Sequence, residues 1–118
     1  MYGVPKDLDL SRFHGASLLQ IAIGEFEIQF HFERDAVIGI EGRWELLDAS
    51  GALLDQAIEN TKRDCYRVHV LLGHEAVASE VEAPTSFTLT FDDGKRLKVY
   101  DDPGPYESFS IQPGNIFV

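Results

Sequence analysis

FTLTFDDGKRLKVYDDPGPYESFSI, residues 87–111, is the stretch whose reading decides the fold. Phe87, Leu89 and Phe91 sit two apart, and so do Leu97 and Val99, then Phe109 and Ile111. An extended chain turns successive side chains to opposite faces, so each set loads one face of a strand. Between the first two sets stands Asp92-Asp93-Gly94, the acidic-glycine signal of a tight hairpin. Pro103 and Pro105 mark a loop, because proline cannot donate to a central strand's ladder. The stretch predicts strand, hairpin, strand, loop, strand.

The same period runs through the rest of the chain. Leu19, Ile21 and Ile23 alternate, as do Phe26, Ile28, Phe30 and Phe32, with Glu25, Glu27, Gln29, His31 and Glu33 between them. Ile38, Ile40, Trp44 and Leu46 alternate with Gly42 filling the gap. Apolar and polar faces of this kind describe antiparallel sheet with one wet side. DASG (48–51) and QPGN (112–115) supply two further hairpin turns. One helix is expected over 61–72: Thr61 and Asp64 have capping-box spacing, Cys65, Val68 and Leu72 form an apolar side, and Gly73 is a stop. Lys62 and Arg63 in its first turn oppose the helix dipole. A shorter helix is expected near residues 8–14, ending at Gly15.

These segments point to an internal duplication, about 13–55 and 71–118, within one domain of 118 residues. Gly15 aligns with Gly73, Leu19 with Val77, Ile23 with Val81, and Phe26, Ile28 and Phe30 with Phe87, Leu89 and Phe91. The expected fold is α+β: mostly antiparallel strands, two similar β-rich halves forming a curved sheet or split barrel, and one or two short helices.

Twenty acidic residues against ten basic ones give a net charge of −10. That argues against affinity for phosphate backbones or anionic membranes, both of which draw on lysine and arginine. A basic protein partner fits the charge, and so does a surface that merely stays dispersed. A lone cysteine, Cys65, allows no internal disulfide and suits a reducing compartment. The opening MYGVPKDLDLSRF lacks the apolar core of a signal peptide, and no apolar run approaches the length of a membrane helix. The expected compartment is the cytoplasm.

FDDGKRLKVYDD and YESF, with IGEFEIQFHF and LLG before them, resemble a family of small uncharacterised bacterial proteins, a domain of unknown function, over residues 13–118. The resemblance implies a compact α+β domain and supplies no catalytic residues.

The chemistry of single residues is sparse. Asp92, Asp93, Asp101, Asp102 and Glu107 could ligate a divalent cation, yet the spacing of a calcium loop is absent and Asp-Gly is what a turn demands. Cys65 and His69 are four apart with no second pair to complete a tetrahedral site. His14, His31 and His74 are scattered; phosphate-loop, dinucleotide and serine-elbow motifs are missing. No catalytic, cofactor or metal residue is assigned, and an enzyme is not expected. The expected interaction surface is Asp92, Asp93, Asp101, Asp102, Tyr106 and Glu107. The leading expectation is a non-enzymatic protein-interaction module, immunity-like by analogy only. A small-molecule binder or hydrolase with a cavity between the halves is the rival, and a homodimer through a strand edge is the third reading.

Overall fold

The computed structural model describes residues 3–57, 62–101, 108–114 and 116–118. Ten strands are found among them: β1 (Leu18–Ile23), β2 (Ile28–Phe32), β3 (Val37–Ile40), β4 (Trp44–Leu47), β5 (Leu53–Gln56), β6 (Ala76–Glu82), β7 (Ser86–Phe91), β8 (Arg96–Tyr100), β9 (Phe109–Gln112) and β10 (Ile116–Phe117). They form two five-stranded antiparallel sheets. Sheet 1 runs β1-β2-β3-β9-β10 and sheet 2 runs β6-β7-β8-β4-β5. The three expected hairpins are present: β7–β8 across Asp92 and Asp93, β4–β5 across Asp48, and β9–β10 across Pro113.

Helix is where the expectation fails. Among the described residues the helical elements with full bounds are short 3-10 turns, at Ser11–Phe13, Glu33–Asp35 and Val68–Leu71. The architecture is all-β in character, not α+β, and the sheets do not close into a barrel. The cause lies in where the backbone donors go. The N–H groups of Arg67 and Val68 bond the Asp55 carboxylate, and Gly73 N–H bonds the Leu18 carbonyl. A helix over 61–72 would need those donors for its own ladder. Near residue 11, the Asp9 carboxylate accepts the Ser11 N–H, which starts a single 3-10 turn rather than a helix. Thr61, the expected cap, lies outside the described residues.

Each sheet takes three consecutive strands from one part of the chain and a closing hairpin from the other. The chain crosses between sheets at residues 41–43, so Ile38, Ile40, Trp44 and Leu46 are not one alternating strand but the inward faces of two strands in different sheets. Gly42 lets the chain pass close to Ser108 at the crossing: a Cβ there would stand 3.3 Å from the Ser108 backbone, a tight contact. The two sheets also meet at one corner through an antiparallel bridge between Ser17 and Glu75. Around that bridge hydrogen bonds recur in corresponding pairs. Gly15 N–H bonds Ala76 O at 2.8 Å, and Gly73 N–H bonds Leu18 O at 2.9 Å. Leu18 N–H bonds His74 O, and Ala76 N–H bonds Ala16 O, both at 3.0 Å. Gly15 and Gly73 share a left-handed backbone, φ 78° and 83°, open to glycine at little cost.

Strand register extends the correspondence. Pairing sets Ile28, Phe30 and Phe32 of β2 against the places of Phe87, Leu89 and Phe91 in β7. That is two residues on from the sequence alignment, because Phe26 lies in the turn before β2 and is 79% exposed. β1 also breaks its alternation: a bulge at Leu19 leaves Leu18 buried and Leu19 63% exposed. The corresponding bulge in β6 leaves Val77 50% exposed. The core between the sheets is aromatic. Phe32 stacks on Phe91 at 6.2 Å, Phe30 meets Trp44 edge-on at 6.3 Å, and Phe87 meets Phe109 edge-on at 5.0 Å. Each pair joins one sheet to the other and adds about 0.5–1.5 kcal/mol beyond its buried area.

Candidate docking face

The described acidic residues of the expected surface, Asp92, Asp93 and Asp101, are placed at two separate ends of β8. Asp92 and Asp93 sit in the β7–β8 turn beside His74. The His74 Nδ1 lies 2.6 Å from Asp92 Oδ1, and its Nε2 lies 3.6 Å from Asp93 Oδ2. Asp93 also pairs with Lys95 Nζ at 2.6 Å. These three side chains could hold a metal ion by distance alone. Their partners describe something else. Asp92 accepts the N–H of Glu75 at the bridge between the sheets, and Glu33 accepts the N–H of Ser17 at the corresponding place. Asp92 is thus a brace for the strand crossing. The hydrogen bond from His74, and then that from Glu75, hold its carboxyl below the usual aspartate range.

Asp101 lies beyond the far end of β8. It accepts the Gly3 N–H at 2.7 Å and the Ser108 hydroxyl at 2.7 Å. Burial pushes its carboxyl upward, and these bonds outweigh it, so the group is held low. Asp102, Tyr106 and Glu107 lie outside the described residues. The described members of the expected surface are therefore not one patch, and each is engaged by the chain itself. The buried carboxylate the sequence did not single out is Asp55. It pairs with Arg63 while bonding the backbone of Arg67 and Val68, and Arg63 stacks its guanidinium 4.1 Å from the Tyr66 ring centroid. Burial opposes the Asp55 charge, but these bonds prevail and keep it ionised. Asp55 fastens the link between the halves.

What the sequence missed is a difference between the two outer faces. On sheet 2 the outward positions of β8 and β4 carry Arg96, Lys98, Tyr100 and Glu45. They cover one another: the Tyr100 hydroxyl donates to Glu45 Oε1 at 2.5 Å, and the Arg43 guanidinium carbon lies 4.0 Å from the Tyr100 ring centroid. Burial, then the bond to the Glu45 carboxylate, pushes the Tyr100 phenol up to about 12.

On sheet 1 register places Gly39 where sheet 2 has Lys98, Ser110 where it has Glu45, and Glu41 where it has Tyr100. The central outward row there reads Ala22, Gln29, Gly39, Ser110 and Phe117. No lysine or arginine occupies an outward position of these five strands. Glu27, Gln29 and His31 run along the β2 side in a bonded line: Gln29 Nε2 donates to Glu27 at 2.5 Å, and His31 Nε2 lies 2.9 Å from Gln29 Oε1. A Cβ on Gly39 would meet Ser110 Oγ at 3.1 Å and Glu27 Oε2 at 3.3 Å. The missing side chain leaves a pit of about 20 Å³ lined by Glu27, Gly39, Glu41, Phe109 and Ser110. A shallow depression of about 240 Å³ adjoins it, lined by Ala22, Ile23, Gly24, Glu27 and Gln29. Glu27 is shared by both. At the sheet's other edge Phe117 is half exposed.

The chemical capacity of this face is recognition. It offers carboxylate, amide and hydroxyl acceptors around a small hollow, with apolar surface at each side. No protein-family model, curated protein or solved structure matches the chain. Among the described residues, no helix is long and apolar enough to cross a membrane.

Proposed function

We propose that the protein is a non-enzymatic, cytoplasmic interaction module that docks a basic partner protein on the outer face of sheet 1. The carrying observation is the contrast between faces. Sheet 2 sets Arg43 against Glu45 and over the Tyr100 ring and carries Lys98 and Arg96 on its central strand, while sheet 1 carries Glu27 and Glu41 beside a glycine hollow and, among the described residues, no lysine or arginine on its strands. A chain of net charge −10 attracts cationic surfaces at a distance, and the uncompensated face gives them a place to settle.

The rival readings draw less support. A hydrolase site between the halves calls for a carboxyl displaced upward, and among the described residues the aspartates with displaced titration are all displaced downward. The space between the sheets is filled by the aromatic core. Edge pairing into a homodimer is opposed at β1 and β6 by the Leu19 and Val77 bulges, a device that blunts strand edges.

The test is an amide chemical-shift titration of the whole protein with a decalysine peptide at low salt. Saturable shifts at Gln29, Gly39, Glu41 and Ser110, weakening with added salt, support the docking face. Shifts concentrated on Lys98 and Tyr100, or on Asp93 and Asp101, would place binding elsewhere and reject this reading.

A further inference from the structure

We propose, resting on the docking reading of sheet 1, that the pit over Gly39 takes the ε-ammonium of a lysine from the partner, with an apolar neighbour of that lysine in the adjoining depression. Three observations converge on this chemistry.

The first is size. The pit's 20 Å³ admits one water-sized group. A lysine ammonium is a compact point charge with three donors, whereas a guanidinium is a wide planar fork with five. The second is the donor set. Three acceptors line the pit, the Glu27 and Glu41 carboxylates and the Ser110 hydroxyl, enough to receive three N–H bonds. The third comes from the molecule's own counterpart. In sheet 2 a lysine, Lys98, stands at the place of Gly39, opposite Glu45, with its ammonium 5.2 Å from the Tyr100 ring centroid. Sheet 2 supplies within the chain the cation that sheet 1 receives from another protein.

The adjoining depression adds the second element of recognition. Ala22, Ile23 and Gly24 give it an apolar wall, and Glu27 joins it to the pit. A lysine in the pit therefore brings its neighbouring side chain against that wall. The surface selects a lysine flanked by an apolar residue, not basic charge in general.

The experiment uses the full chain with three probes: acetyl-Leu-Lys-amide, acetyl-Leu-Arg-amide, and the first with its lysine Nε-acetylated. The lysine probe is expected to shift the amides of Gly39, Glu41 and Ser110, with the arginine probe about tenfold weaker, one charge-assisted bond's difference. The acetylated probe is expected not to saturate. Gly39→Lys, which copies sheet 2, is expected to abolish binding. Its new Cβ first meets the Ser110 Oγ and the Glu27 carboxylate, side-chain ends that need to shift by a few tenths of an ångström. Glu41→Gln, at an exposed position, is the second variant and is expected to weaken the lysine probe alone. Equal affinity for lysine and arginine, or binding that survives both substitutions, overturns the lysine seat. If decalysine still maps to sheet 1 in that case, the broader docking reading stands. If neither probe touches sheet 1, both fall.

Discussion

The two sheets are wired alike and dressed differently. Strand order, bulges and the bonds around Ser17 and Glu75 correspond from one to the other. Their inner faces are both largely apolar, and their outer faces diverge. Sheet 2 lays Arg43, Lys98, Tyr100 and Glu45 over itself, while sheet 1 shows glycine, serine and glutamate. The difference teaches where constraint lies. Inward positions answer to one shared core and stay mostly apolar in both sheets, the buried Asp55 being the exception. Outward positions answer only to solvent or to a partner, so they are free to part company.

The comparison can be broken from the core outward. Phe32 and Phe91 stack on each other from corresponding places. Phe32→Ala and Phe91→Ala are each expected to cost about 3–5 kcal/mol, as buried aromatic truncations do, and by similar amounts. Denaturant unfolding checks this; a gap of several kcal/mol between the two would show that the sheets do not share the core evenly. The next effect concerns edge strands. Asp55 on β5 stands where β10 has Ile116. Asp55→Ile makes the edges alike and is expected to destabilise by about 2 kcal/mol or more, because Arg63 and the N–H groups of Arg67 and Val68 lose their acceptor.

Smaller effects sharpen the contrast on the surface. Glu45→Gln removes the charged acceptor of the Tyr100 hydroxyl and is expected to bring its titration down from about 12 toward the ordinary value, read by ultraviolet absorbance. His74→Ala is expected to let Asp92 titrate higher, read by carboxyl carbon shifts. Because the folded Asp92 carboxyl is held below 3.8, its contribution to stability is present above that pH and is lost as pH falls through the folded value. Removing His74 should therefore flatten the acid limb of the stability curve slightly. The smallest change is Ser86→Ala. The Ser86 hydroxyl is buried and has no hydrogen-bond partner, so its removal is expected to be neutral or mildly stabilising by thermal melting.

Strands and turns were legible in the sequence because their signals are local. The DDG turn, the alternation of Phe87, Leu89 and Phe91, and the hairpin at DASG are written in adjacent residues. The helix at 61–72 was misread because its local signals, a cap and a stop, are overruled by a carboxylate twelve residues away and a carbonyl fifty-five residues away. Gly42 read as a gap in one strand, since only the packed structure shows it as a passage between sheets. The docking face was not legible at all. Gly39 carries no motif, and its meaning appears only when register sets it against Lys98. The acidic residues that did stand out are mostly turn and brace chemistry, as Asp92 and Asp101 show.

The exchange of closing hairpins also sets a timetable for synthesis. β3, complete by Ile40, has as its neighbour β9, which begins at Phe109. Sheet 1 must wait with an open edge until the ribosome has made β9, and the rate of folding is governed by contacts some seventy residues apart. A nascent chain halted after β8 would present β3's unpaired edge to its neighbours, which makes the last hairpin the seal on a surface laid down at the start.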